Sequence, residues 1–330
     1  MYIDGKKGSL ILILKTLEEY SDSNHYLTQQ DIIDKIYTNY NLELERKTIG
    51  SNINLLIDLG YDIIKGPKGG YCLVSRIFDV SEVKFLIDAI YSSKTLNGKQ
   101  ANELAKSITN TLSKYERKDY NYLYKSEEIN RNINKDFFLN IDIINEAIKE
   151  NKKISFNYIS YDDKGKEIYK YNGYTYIISP YYLINNFGKY YLLCYYRYDK
   201  STNFRVDYMR NIRILDDIRK PIKEVSDLGE NFNISKYINN HIYLFGGKTI
   251  DAVVKLENEK SITYVIDWFG SNTKIFKKNN NTYALIKCDD EALTHWLLQY
   301  INYVKIEEPL YLKEKVINIL KDNLNTYLNE

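Results

Sequence analysis

The 330-residue chain is poor in the residues that do metal and nucleophilic chemistry. It holds three histidines, three cysteines, two methionines, two tryptophans and four prolines. His25, His241 and His295 have no Cys, Asp or Glu partner at metal-ligand spacing, so no metal is expected. Cys72, Cys194 and Cys288 are odd in number and far apart. They argue against a disulfide framework or structural zinc and for a reducing cytoplasm. No apolar run reaches the length of a membrane span. The opening MYIDGKKGSLILILKTLEEY sets two lysines before an apolar patch, but Glu18 and Glu19 follow and no small-residue cleavage site does. An amphipathic helix is the expectation there, not a signal peptide. Nucleophile-elbow and dinucleotide-binding fingerprints are missing. Asp289, Asp290 and Glu291 fall where a helix starts, which suits capping, and Asp162 and Asp163 belong to a hairpin turn. No catalytic residue, metal or cofactor is therefore expected, and the chain does not read as an enzyme.

What is present suits a soluble protein of two or three domains, with 44% hydrophobic and 27% charged residues. The formal net charge is +2, unevenly spread. Residues 1–75 carry 8 basic and 10 acidic groups, and residues 76–150 carry 12 of each. Residues 151–225 carry 14 basic and 8 acidic groups, a local +6, and residues 226–330 carry 12 and 14. The electrostatic centre is thus the middle segment, the place to look for an anionic ligand.

In residues 1–75, Leu10, Ile11, Ile13, Leu14 and Leu17 predict an apolar helix stripe. Thr28 precedes QQDIIDKI as an N-cap, with Asp31 in the capping-box position and Ile32, Ile33 and Ile36 as the apolar face. RKTIGSNINLLIDLG predicts a third helix, burying Ile49, Ile53, Leu56 and Ile57 and ending at Gly60. Its other face offers Lys47, Ser51 and Asn54 beside Arg46, Thr48 and Asn52, with no acid until Asp58. Cations for phosphates and short polar groups for base edges suit duplex DNA, although a solvated face has the same look. Then YDIIKGPKGGYCLV sets two β-prone runs about a turn holding Lys68, with Lys65 before it. The GxxGG turn lacks the GK[ST] ending of a phosphate loop and leads into no helix. Three helices and a hairpin make the order of a winged helix-turn-helix. The run TxxxI…RKTIxxxIxxLxxLGYxI…GxxGGYxL resembles the DeoR-like winged helix at the N-terminus of WYL-domain regulators.

Two amphipathic helices follow, one with Val83, Leu86, Ile87 and Ile90, the other with Leu104, Ile108 and Leu112 beside Ala101 and Ala105. They either pack against the wing or pair two copies of the chain, since a single short reading head usually needs a second half-site. The resemblance implies pairing. Residues 116–140 read as a polar connection with one short strand.

NIDIINEAIKENK predicts a helix with Ile141, Ile144 and Ile148 on one face. Five β-prone runs come next: KISFNYISY, KEIYKYNGYTYIISPYYLIN, KYYLLCYYRY, NFRVDYMRNI and RILDD, parted by DDKGK, NNFGK and DKSTN. A helix and five antiparallel strands suggest a small Sm- or SH3-like barrel. SPYYLI, GKYYLLCYYRYD and FRVDYMRNI resemble the WYL domain, whose name-giving triplet stands here as Tyr190-Tyr191-Leu192. The resemblance implies a module sensing an anionic effector, a nucleotide or single-stranded nucleic acid. Arg205 matches the basic position of the FRVD run. Tyr208 stands where a second arginine is usual, and Arg210 lies two residues on. Tyr158, Lys170, Tyr190, Arg197, Arg205, Tyr208 and Arg210 are the candidate effector residues, since guanidinium groups clamp phosphate and tyrosines stack on bases. For any one of these tyrosines filling the barrel core is the more ordinary role, whereas Arg205, inside a strand pattern, reads as a site residue.

The remainder reads β-α-β-β-α-β-α, a ferredoxin-like order, and resembles the extension that often follows WYL domains, including Glu308-Pro309 and Leu312 at the last helix. The expectation is an α+β multidomain chain: winged helix 1–75, helical linker 76–138, small barrel 139–225 and ferredoxin-like domain 226–330. It reads as a homodimeric transcription regulator that binds double-stranded DNA and answers to an anionic effector. Two rivals are an accessory single-strand-binding protein modulating a defence nuclease, and an enzyme carrying a DNA-binding head.

Overall fold

The structure, a computed structural model, describes residues 5–66, 69–93, 95–120 and 135–329. The chain divides into two compact units, Met1–Ile133 and Asn134–Glu330.

The first unit opens with α1 (Gly5–Tyr20), α2 (Gln29–Tyr40) and α3 (Arg46–Asp58). α1 buries Leu12, Ile13, Thr16 and Leu17, and the expected core residue Ile11 is instead 58% exposed. Thr16 tolerates the buried face because its hydroxyl donates to the Leu12 carbonyl at 2.7 Å, leaving no polar atom unpaired. The helix therefore sits rotated from its purely apolar stripe. α2 starts with the expected box: Thr28 Oγ1 accepts the Asp31 N–H at 3.2 Å, and the Asp31 carboxylate accepts the Thr28 N–H at 2.8 Å. α3 buries Ile49, Ile53 and Leu56, but Ile57, also expected inside, is exposed. Those three already fill the groove against α1 and α2, and Ile57 lies about 100° round the helix from Leu56.

β1 (Ile63–Lys65) and β2 (Tyr71–Leu73) pair antiparallel, Ile63 facing Leu73. The glycines flanking their turn are there for packing. A Cβ at Gly66 would stand 2.1 Å from the Tyr26 ring and one at Gly70 2.9 Å from Tyr26 Cβ, so the hairpin lies directly on that side chain.

α4 (Val80–Ser92) and α5 (Gly98–Thr109) pack on each other over a small core of Val83, Ile87, Ala105, Leu112 and Tyr120. Each starts with a capping box, Asp79 with Glu82 and Asn97 with Gln100. Of the expected connecting strand, residues 121–134 lie outside the described residues, and Glu116–Tyr120 is a short 3₁₀ helix.

The second unit begins with α6 (Phe137–Lys149). β3 (Lys152–Tyr161), β4 (Glu167–Tyr169), β5 (Thr175–Asn186), β6 (Lys189–Tyr195), β7 (Ser201–Arg205) and β8 (Met209–Ile218) follow. The ladder runs β4-β3-β5-β6-β7, with β8 also on β3. In a flat sheet β3 and β7 would lie about 14 Å apart. Yet the Arg205 N–H donates to Tyr158 Oη at 3.1 Å, and the Phe156 and Phe204 rings are centred 5.2 Å apart. The sheet therefore curls, around Phe156, Tyr158, Tyr176 and Phe204, helped by register shifts in β5 and β8.

Three strand expectations are corrected. KEIYKYNGYTYIISPYYLIN is no single strand: Lys170–Gly173 form a 3₁₀ turn in which Tyr171 and Asn172 take φ of 50° and 54°. KYYLLCYYRY ends at Tyr195, so Tyr196, Arg197 and Tyr198 lie in the loop before β7. NFRVDYMRNI breaks at Val206–Tyr208, and its end runs on through RILDD as β8. Each break hides inside a β-prone run, whose apolar pattern records burial but not where the chain turns.

Residues 222–244, with α7 (Ile234–Asn240), cover one side of this sheet, Val225, Leu228 and Leu244 packing on Tyr181, Ile184 and Leu193. The chain then runs through β9 (Thr249–Leu256), α8 (Glu259–Phe269), β10 (Lys274–Lys278), β11 (Asn281–Asp289), α9 (Asp290–Gln299), β12 (Val304–Glu308) and α10 (Leu310–Leu328). That is the β-α-β-β-α-β-α order expected, in an antiparallel sheet β10-β11-β9-β12. Its core centres on Trp296, Leu293, Val254 and Ile286. Among the described residues, no helix is long and apolar enough to cross a membrane.

Gly66→Ala is expected to destabilise the first unit by about 1–3 kcal/mol through the Tyr26 clash. In the Tyr26→Ala background the same change should cost much less. Thermal unfolding of the four chains checks this: equal penalties in both backgrounds would remove Tyr26 as the cause.

Candidate nucleic-acid interface

α3 is anchored by Ile49, Ile53 and Leu56, which turns Lys47, Ser51 and Asn54 outward. These three are exposed, and among the described residues their side chains make no hydrogen bond. Two neighbours expected on the same face have other duties. Asn52 is half-buried and donates to Ser9 Oγ of α1 at 3.0 Å, so it is fixed to the scaffold instead of free for a base. Arg46 donates to Gln30 Oε1 at 3.0 Å, tying α3 to α2. Thr48 is half-buried, and Glu45 caps the helix without a side-chain bond, setting an acid at the end nearest Arg46. Lys65 is exposed on the hairpin, its ammonium 5.9 Å from the Tyr71 ring centre, and Lys68 lies outside the described residues.

Behind this face the turn after α1 is held by one buried carboxylate. Asp22 takes Ser113 Oγ–H at 2.6 Å, the Asn24 N–H at 2.9 Å and His25 Nδ1 at 2.7 Å, and His25 stacks on Tyr115. Arg76 donates to the Glu18 and Ser21 carbonyls and Arg117 pairs with Glu19. Burial alone would raise the Asp22 pKa, but the bonds from Ser113, His25 and Asn24 outweigh it and hold the carboxyl below its ordinary value.

The expected effector residues fall into separate places. Tyr158, Arg205, Tyr208 and Arg210 converge on the turn Val206–Tyr208. Asp207, only 2% exposed on its side chain, accepts Arg205 Nε at 3.1 Å and Nη2 at 2.6 Å. The guanidinium lies 4.0 Å from the centre of the Tyr208 ring. Arg210 donates to the Asp207 carbonyl at 2.8 Å and to Glu167 at 2.6 Å. Burial opposes the charge of Arg205, but Asp207 raises its pKa above the ordinary value. Burial likewise pushes the Tyr158 phenol well up, keeping it a neutral acceptor for the Arg205 N–H. Both arginines are thus engaged within the chain. Tyr190 stands apart, edge-on to Phe137 of α6 at 5.4 Å.

Lys170 and Arg197 lie instead among exposed tyrosines. Lys170 covers Tyr171 at 5.3 Å, and Arg197 covers Tyr196 and Tyr198 at 4.9 and 4.8 Å. Tyr196 Oη is 3.3 Å from Tyr174 Oη, and the rings of both abut Tyr176. Tyr171, Tyr174, Tyr196 and Tyr198 were not among the expected residues. Their signal was the interleaving of cations and aromatics in KY and YRY, masked because both stretches were taken as strand.

The three histidines serve packing: His25 as above, His241 stacked on Tyr237 at 4.0 Å, and His295 edge-on to Phe245 at 5.3 Å. All three cysteines are buried, and burial pushes the Cys288 thiol up to about 12.

With this geometry in place, comparison with known proteins identifies the middle of the chain. A family model described as WYL domain matches residues 140–214, so the chain contains a WYL domain there. Two solved structures are similar to the whole chain at low identity. One is the proteasome accessory factor B/C (PafBC) of Arthrobacter aurescens, 14% identical, with 97% of this chain and 49% of that one covered at a TM-score of 0.30. The chain therefore spans about half the length of that protein. The other is a CRISPR Cas-related protein, 13% identical, with 100% and 87% covered at a TM-score of 0.36. A comparison with curated proteins finds no match.

Two outcomes follow. Because the folded Asp22 carboxyl is held low, its contribution is fully present above its unfolded pKa and is lost as pH falls through the folded one. Asp22→Asn should flatten that acid limb in urea unfolding; an unchanged limb would place the acid sensitivity elsewhere. Arg205→Ala strands a buried carboxylate and should destabilise the second unit on the order of 3 kcal/mol, read by its denaturation midpoint.

Proposed function

We propose that the chain is a non-enzymatic DNA-binding transcription regulator working in the cytoplasm without a cofactor. In this reading α1–α3 and the β1–β2 hairpin form a winged helix-turn-helix, and the curled sheet with α6 is the small barrel of the WYL domain. The final β-α-β-β-α-β-α segment is a ferredoxin-like extension. A homodimer, paired through α4 and α5, presents two α3 helices to two half-sites of duplex DNA. The WYL domain takes an anionic effector, a nucleotide or oligonucleotide, whose binding biases the pairing of the two heads. That is a coupling between two sites of about 1–3 kcal/mol.

The observation that carries this reading is the outward face of α3. A helix locked by three buried aliphatic residues presents Lys47, Ser51 and Asn54 to solvent without internal partners. Short polar side chains on a rigid helix suit base edges in the major groove, and the lysine suits phosphate. The slightly acidic total of this region does not oppose that, since Glu19, Asp22 and Asp31 are engaged within the scaffold.

Lys47→Ala with Ser51→Ala should weaken binding to a duplex selected by the wild-type chain from a random pool. About 1–3 kcal/mol, fivefold or more, is expected in a gel shift at fixed salt, with unfolding unchanged. Lys47→Ala alone should reduce the salt slope by about one. Wild-type affinity in the double variant would remove α3 as the reading helix.

A further inference from the structure

We propose that the first unit holds a small-molecule site of its own, a cleft where α1 and α2 end beside the cap of α5, and that it takes a small metabolite carrying two phosphate groups. The site is separate from the outward face of α3 and from the WYL domain, and it depends on the reading of neither.

The cleft has a volume of about 370 Å³, within the range of about 300–1,000 Å³ typical of small-molecule sites. Lys15, Glu18 and Tyr20 of α1 line it, with Asn39 and Tyr40 from the end of α2 and Asn110, the C-cap of α5. Its walls are mostly polar, which suits a hydrophilic ligand.

Tyr20 gathers the positive charge. The Lys35 ammonium lies 4.3 Å from the centre of its ring and the Lys114 ammonium 4.8 Å, so the two cations are no more than about 9 Å apart. The Tyr20 hydroxyl accepts Asn39 Nδ2–H at 3.1 Å, which fixes the ring. Lys35 and Lys114 are half-buried, and Lys15 is exposed at the rim. Among the described residues, none of the three is paired with a carboxylate.

The neighbouring groups do not account for these lysines. Glu19 is taken by Arg117, and Glu18 is exposed. The carbonyls that end α1 are already satisfied. Arg76 donates to those of Glu18 and Ser21, and the Lys114 backbone N–H donates to that of Glu19. The ammonium groups of Lys35 and Lys114 are left with tyrosine rings and each other.

That arrangement selects the ligand. A tyrosine ring attracts an ammonium weakly, and two ammonium groups this close repel. An anion reaching both removes the repulsion and gains charge-assisted bonds. Two linked phosphates present oxygens at both ends, one set for each lysine. The amides of Asn39 and Asn110 and the Tyr40 hydroxyl offer hydrogen bonds to the body of the ligand, and Glu18 accepts from its hydroxyl or amino groups. Because the cleft is walled by α1, α2 and the end of α5, an occupant would brace the three-helix head against the α4–α5 pair.

The test is calorimetric titration of the full chain with inorganic pyrophosphate, and with citrate, at fixed ionic strength. Lys35→Ala and Lys114→Ala should each weaken pyrophosphate binding about tenfold, with thermal unfolding unchanged because neither ammonium holds an ion pair in the fold. Lys47→Ala with Ser51→Ala, and Arg197→Ala, should bind it like wild type, although each also removes a cation. Pyrophosphate binding that survives both Lys35→Ala and Lys114→Ala would overturn the site. So would an equal loss in the Lys47 or Arg197 variants, which would show general charge attraction only. Citrate binding more tightly than pyrophosphate would overturn the phosphate ligand, and no binding of pyrophosphate at millimolar concentration would overturn the proposal as a whole. Duplex binding, followed separately by gel shift, tests the α3 reading whichever result is found.

Discussion

The second unit depends on how a buried carboxylate is neutralised. Asp207 sits in the turn that carries the chain from β7 to β8, and Arg205 closes on it from two residues back. A charge so deeply buried is costly unless a cation and hydrogen bonds surround it. Here the turn supplies both, with Arg210 binding the Asp207 carbonyl from the other side. Once that turn is set, β8 returns antiparallel along β3, and the Arg205 N–H reaches the Tyr158 hydroxyl across the curl. The aromatic interior then closes around Phe156 and Phe204. The ion pair most suggestive of a ligand site is, in the free chain, what shapes the sheet.

This division of labour separates two kinds of arginine in one domain. Arg205 and Arg210 are internal partners whose charges are consumed by the fold. Among the described residues, the Arg197 guanidinium has tyrosine rings beside it and no acid paired with it. Both kinds contribute to the local +6 of residues 151–225, which is why net charge located the domain but not its receptor. The first unit shows the same logic in reverse. Residues 1–75 carry 8 basic and 10 acidic groups, yet Asp31 caps α2 and Asp22 braces the α1–α2 turn, and the outward face of α3 is free of acids until Asp58.

Where periodicity is a faithful record of burial, the elements were legible. The capping box at Thr28 and Asp31, the buried Ile49, Ile53 and Leu56 of α3 and the succession β9 to α10 were readable, although Ile57 was misplaced. Errors arose where a polar residue was satisfied locally or a turn carried tyrosine in a left-handed conformation. Thr16 entered the core through its bond to Leu12, rotating α1 and exposing Ile11. Tyr171 and Tyr198 turned the chain in left-handed conformations that no propensity favours, so both turns looked like strand. Asn52 looked like a base reader because its bond to Ser9, forty-three residues away in sequence, has no local sign.

By itself, then, the sequence determined most of the helices and their order, the greater part of the apolar faces they bury, the polar face of α3 and the segment where positive charge gathers. These are local or periodic properties, written within a few turns of chain. The tertiary structure alone decided which charges remain free. Whether an arginine meets a buried aspartate or an exposed tyrosine depends on how distant strands curl, and that is set by packing across the whole sheet. Packing of the same sheet leaves Tyr171 and Tyr198 open to solvent and sets Tyr196 half-buried against Tyr176 and Phe204.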